Sequence, residues 1–166
     1  MKTDNKNKDL NVLWKWLFID KTITINADRL RVWDIITKSE YNNKWVNEFS
    51  PGMTLESDWN QGSPVVWKES SWKIVVEWDV IRVNPWKFLR FSVFDLELGR
   101  HKITVNDGIT FELSPKNDMT ILHMIHWDFS VLAEPQSYYD MTLEAWNKIF
   151  PKIKELAEIS EKKDRF

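Results

Sequence analysis

From Val12 onward, apolar and polar positions alternate along the chain. Val12, Trp14, Trp16 and Phe18 share one parity, and residues 21–25 read Lys-Thr-Ile-Thr-Ile. Period two in β-branched and aromatic residues is strand chemistry, although the first few positions also fit a short helical turn. The period then changes. Leu30, Trp33 and Ile36 or Thr37 recur at helical spacing, which predicts a short amphipathic helix over residues 27–37. Asn26 is its expected cap, with the Asp28 carboxylate in the first turn. A second short helix is predicted over residues 39–45, capped by Ser39 and stopped by Pro51-Gly52. Strand patterns follow at residues 53–57, 63–69, 72–83, 88–94, 103–113 and 119–129, the fifth open to a break at Asp107-Gly108. Asn60-Gln61-Gly62, Asn84-Pro85 and the 114–118 segment are turn chemistry. Turns this short imply antiparallel pairing, because parallel strands need long crossovers. The last pattern, residues 137–163, is a long helix carrying Tyr139, Leu143, Trp146, Ile149, Phe150, Ile153 and Ala157 on one face. Pro151 lies inside it and predicts a kink or break one turn earlier.

A sheet with one apolar face needs a cover, and only the C-terminal helix is long enough to supply it. The expected fold is therefore α+β: a curved antiparallel sheet of about six to seven strands around a long C-terminal helix, with two short helices after the first strand. Residues 1–10 read as a polar, disordered tail and residues 11–166 as a single domain. The first nine residues alternate Lys, Asn and Asp, unlike a signal or transit peptide.

Composition narrows the function classes. The net charge is −2, from 23 basic and 25 acidic residues scattered without a basic stripe, so no nucleic-acid backbone is tracked. No apolar run approaches the roughly 18 residues of a membrane span. The absence of cysteine removes disulfide and thiolate chemistry and fits a cytoplasmic location. One feature is unusual: 11 Trp and 9 Phe stand against 4 Gly. Some of those rings fill a core, and so many in one small domain also point to an aromatic-lined cavity or contact surface.

Several segments resemble a known family. The 25–37 segment, Ile-Asn-Ala-Asp-Arg-Leu-Arg-Val-Trp-Asp-Ile-Ile-Thr, is similar to the opening of the AHSA1-like family (activator of Hsp90 ATPase homologue) within the START-like, or SRPBCC, superfamily. Ser39-Glu40 followed by Lys44-Trp45, the 108–113 and 119–122 segments, and Trp146 in the last helix continue the likeness in order, over about residues 20–160. Asp28 stands where that family usually has Pro, and Ala145 where it commonly has Gly. The resemblance implies the helix-grip fold. It leaves function open among chaperone partners, carriers of small hydrophobic molecules and a few cyclase-like enzymes.

Candidate chemistry is sparse. His123 and His126 form His-x-x-His, but in a strand residues three apart face opposite ways and cannot share an ion, so no metal site is expected. His126 and Asp128 share a face, the kind of pairing that acid–base catalysis uses, yet no nucleophile or second acid can be set beside them. No catalytic residue and no cofactor are assigned. In the 72–83 strand, Trp72, Ile74, Val76, Trp78, Val80 and Arg82 share the parity expected to face the helix. Arg82 then lies at a cavity mouth, pairs with an internal carboxylate or ends the strand in solvent. The leading expectation is a non-enzymatic binding domain, monomer or homodimer, with a pocket for a small hydrophobic ligand between the sheet and the last helix. Its lining is expected from Trp67, Trp72, Trp78, Phe91, Phe111, Tyr139 and Trp146, with His126 or Arg82 as polar anchors. The alternatives are an Hsp90-type chaperone partner or stress-response module, and a cyclase- or hydrolase-like enzyme.

Overall fold

The structure is a computed structural model and describes residues 17–92 and 108–163. The expected early strand positions before Leu17, the polar tail, and the predicted strand positions 93–94 and 103–107 lie outside those residues. The first strand, β1, spans Ile19–Ile25. Two helices follow, α1 at Arg29–Thr37 and α2 at Ser39–Val46. Then come β2 (Thr54–Glu56), β3 (Pro64–Lys68), β4 (Ile74–Asn84), β5 (Phe88–Phe91), β6 (Gly108–Lys116) and β7 (Met119–Trp127). A 3-10 turn, Phe129–Val131, leads to α3 at Pro135–Lys163.

The strands form one seven-stranded sheet in the order β1-β7-β6-β5-β4-β3-β2. Every pairing is antiparallel, so β2 to β7 meander and β1 closes back on β7. Register shifts occur at Trp67/Lys68 and at Val80/Arg82. Such bulges bend a strand and raise its local twist, which helps to curl the sheet. Gly108 is fixed by close approach: it has φ +111°, and a Cβ there would lie 2.2 Å from the Phe91 carbonyl oxygen.

Period two sends one side chain in two to the concave face. Thr120, Leu122, Met124 and His126 of β7 are buried, as are Ile109, Phe111 and Leu113 of β6. Leu89 and Phe91 of β5, Trp78 and Val80 of β4, and Val65 and Trp67 of β3 continue the face. Against it α3 buries Trp146, Ile149, Phe150, Ile153 and Ala157, positions that recur at helical spacing and form one stripe. Each fully buried Ile or Phe contributes about 1.5–3 kcal/mol, so this seam holds the grip. Polar ties pin the helix to β1 and α1. Lys154 Nζ donates to the Thr24 carbonyl at 3.0 Å and pairs with Glu158, whose Oε1 accepts the Asn26 N–H at 2.9 Å. Arg31 Nη2 donates to the Leu156 carbonyl at 3.1 Å.

Two capping expectations are corrected, and of the kink or break expected at Pro151 the break is ruled out. Asp28, rather than Asn26, caps α1, its Oδ1 accepting the Arg31 N–H at 2.8 Å. Ser39 is the first residue of α2; Lys38 holds the cap position without a side-chain hydrogen bond. Pro151 does not break α3. Both Pro151 and Asn147, whose carbonyl loses its helical donor at Pro151, are exposed, so water can take that acceptor.

Indole N–H groups also finish the end of α1. Helix C-termini leave carbonyls without intrahelical donors. Trp59 Nε1 donates to the Thr37 carbonyl at 2.6 Å, joined there by Asn42 Nδ2 at 3.2 Å, and Trp45 Nε1 donates to the Ile35 carbonyl at 2.9 Å. Trp59→Phe keeps the ring facing Phe91 and deletes the donor, so it is expected to lower stability by about 1 kcal/mol. Urea unfolding of the variant beside the parent measures this.

Candidate functional site

The space between the concave sheet and α3 is organised around Trp146. Its ring lies 6.0 Å from Phe111, 6.3 Å from Trp45, 5.3 Å from Phe49 and 5.8 Å from Phe150, centroid to centroid. Phe111 in turn faces Phe91 at 6.3 Å, and Phe91 meets Trp59 at 5.5 Å. Phe49 links Trp146 to Trp67, whose ring is 5.4 Å away. Mostly edge-to-face geometry runs through the cluster, the arrangement that ring quadrupoles favour. The result is a continuous buried aromatic cluster from β3 to β7.

His126 stands at the β7 end of this cluster. Its Nδ1 accepts the Trp146 indole N–H at 3.1 Å, and its ring sits 4.9 Å from Phe129. An accepting Nδ1 carries no proton, so neutral His126 holds its proton on Nε2. Burial lowers its pKa to about 3, since a charged imidazolium would lose its hydration. Asp128 is engaged elsewhere: its Oδ1 accepts from the Ser130 N–H at 2.9 Å and the Ser130 hydroxyl at 2.6 Å. His123 lies on the opposite, convex side, 2.8 Å from Asp20 Oδ1 and 3.9 Å from Glu112 Oε2. Among the described residues no three His, Asp or Glu side chains are grouped to hold a metal ion.

The predicted lining divides. Trp67, Trp78, Phe91, Phe111, His126 and Trp146 are all buried on the concave side or on α3 facing it. Tyr139 is half-buried, its ring 5.7 Å from Phe129. Two residues belong outside. Trp72 is 72% exposed and sits at φ 66° in the β3–β4 turn, its N–H donating to the Glu69 carbonyl. The strand begins after it, so strand parity does not apply. Arg82 is exposed and lies 5.4 Å from the Phe88 ring centroid. The bulge between Val80 and Arg82 shifts the parity, and half-buried Val83 packs on the core in its stead.

Sequence reasoning missed Trp45, Phe49, Trp59 and Phe129. Trp45 carried a usable signal, because Asn42, Trp45 and Val46 form an i, i+3, i+4 face that α2 buries. Phe49 and Trp59 lie in irregular segments, where no period exists to read. The buried Trp67 indole N–H, in this cluster, has no hydrogen-bond partner among the described residues.

A curled antiparallel sheet gripping one long helix, with two short helices after the first strand, defines an α+β helix-grip domain. The family described as "Activator of Hsp90 ATPase homolog 1-like protein" matches residues 26–158, and the chain belongs to that family. No curated protein matches it. Solved structures with the same fold include a protein from Cytophaga hutchinsonii, 22% identical with TM-score 0.66, the match covering 90% of this chain and 99% of that one. Another, from Mesorhizobium loti, is 17% identical with TM-score 0.65, over 85% of this chain and 96% of its own. A third, from Chromobacterium violaceum, is 14% identical with TM-score 0.63, over 86% and 97%. At these identities the likeness is one of fold.

Proposed function

We propose that the chain is a non-enzymatic binding domain that holds a small hydrophobic ligand between the concave sheet and α3. The carrying observation is the aromatic cluster that passes ring to ring from Trp67 through Phe49 and Trp146 to His126. Ligand sites are mostly apolar and aromatic with a few placed polar groups, and His126 and Trp67 are such groups. The chemistry beside them does not favour catalysis. His126 has Nδ1 occupied by Trp146 and a proton affinity far too low for a general base at neutral pH. Asp128 is held by Ser130.

Titration with N-phenyl-1-naphthylamine, an uncharged fluorescent hydrophobe, tests the reading. Saturable binding at one site per chain is expected, with quenching of Trp emission. Absence of saturable binding counts against it.

A second reading has its own observation. Trp72 and Trp86 are 72% and 50% exposed, at the turns that flank β4. Exposed Trp is common at protein contacts, and the family description names an Hsp90 activator. In this reading Trp72→Ala with Trp86→Ala abolishes capture of a purified Hsp90-type chaperone by the immobilised chain. Unchanged capture, or none by the parent, removes it.

A further inference from the structure

Resting on that binding reading, we infer that the ligand is an uncharged hydrophobe carrying a hydrogen-bond-accepting oxygen, of the ketone, quinone or ether type, which takes the Trp67 indole N–H at one end of the cluster or the His126 Nε2–H at the other. Two observations carry this. The Trp67 indole nitrogen is buried in the aromatic cluster with no acceptor among the described residues. Leaving a buried donor unmet costs about 1–3 kcal/mol, a cost that a ligand oxygen removes. At the other end of the cluster, Trp146 donates to His126 Nδ1 and so directs the imidazole proton to Nε2. No described side chain hydrogen-bonds that nitrogen. Both ends therefore present donors, and an indole cannot accept.

The surrounding side chains set the charge the site accepts. Among the described residues, the buried polar side chains are Thr37, Asn42, Ser92, Thr120, His126 and Asp128, with no buried Lys or Arg. Arg82, the one cation expected inside, lies on the exterior. A carboxylate entering this space would lose its hydration without a cation to replace it. Burial also keeps His126 neutral at ordinary pH, so it offers a hydrogen bond and no charge. Fatty acids and other anions are thereby disfavoured, and pure hydrocarbons leave the Trp67 donor unmet.

Three naphthalenes of matched size separate the cases: 2-acetylnaphthalene, 2-ethylnaphthalene and 2-naphthoate, each titrated calorimetrically at pH 7. The ketone is expected to bind about tenfold more tightly than the hydrocarbon, the value of one to two net hydrogen bonds, and the carboxylate to bind most weakly. Trp67→Phe keeps a ring against Phe49 while removing the N–H together with part of the indole. It is expected to shrink the ketone-to-hydrocarbon ratio several-fold while hydrocarbon affinity stays within about twofold, which also reports an intact fold. Should the variant lose hydrocarbon binding, the parent's ranking of the three probes decides alone. Equal affinity for ketone and hydrocarbon, or tightest binding of the carboxylate, overturns the inference and leaves the binding domain standing. Failure of all three to bind overturns both.

Discussion

Trp146→Ala is expected to lower stability by about 3–5 kcal/mol, the range for removing a large aromatic from a packed core. The residue is fully buried and touches Trp45, Phe49, Phe111 and Phe150 at once. Its loss opens a void at the centre of the grip and leaves His126 Nδ1 without its donor. A domain of this size has roughly 5–15 kcal/mol in total, so the variant sits close to the unfolding threshold. For chains of this length each kcal/mol moves the midpoint by about 2–4 °C, so thermal melting should show a fall of roughly 6–20 °C. Trp146→Phe retains most of the ring contact and is expected to cost roughly 1–2 kcal/mol, chiefly the lost hydrogen bond. Equal melting of the alanine variant and the parent would show that α3 is held by something other than this residue.

The second large effect is a loss of stability in mild acid. His126 has a folded pKa of about 3, lowered from 6.5 by burial. The folded imidazole therefore stays neutral between these values while the unfolded one takes up a proton. The unfolded state binds more protons in that window, so stability rises with pH across it. It is fully present above about pH 6.5 and falls by about 1.4 kcal/mol per pH unit below, until the folded pKa is reached. From pH 7 to pH 4.5 the loss from this residue alone is roughly 2–3 kcal/mol. His126→Phe removes the titrating group and should flatten the curve between pH 6.5 and 4.5, with the carboxylate contributions common to both proteins. Parallel urea-unfolding curves for parent and variant across that window would mean that His126 charges freely in the folded protein.

Both effects converge on β7 and α3, the parts of the molecule best read from the sequence. Alternation in β7 placed Leu122, Met124 and His126 on one face, and helical spacing placed Trp146 opposite them, as the structure shows. Trp67, Trp78, Phe91 and Phe111 were equally legible, because each keeps the buried parity of its strand, the register shift in β3 falling only after Trp67. Reading failed where the period stops. Trp72 lies in a turn with left-handed backbone, and a turn carries no parity. Arg82 follows a bulge, which inserts a residue and exchanges the faces. Phe49 and Trp59 reach the cluster from irregular segments, and only the folded chain brings them to Trp146 and Phe91. Capping showed the same limit on a smaller scale: Asn26 and Asp28 are both good caps, and the path of the chain out of β1 selects Asp28.

The indole N–H resonances offer the most direct test of where a ligand goes, since each Trp contributes one signal. On addition of 2-acetylnaphthalene to 15N-labelled protein, the indole signals of Trp67 and Trp146 should shift, while those of exposed Trp72 and Trp86 stay in place. Shifts confined to Trp72 and Trp86 would contradict the account, placing the contact surface outside the grip.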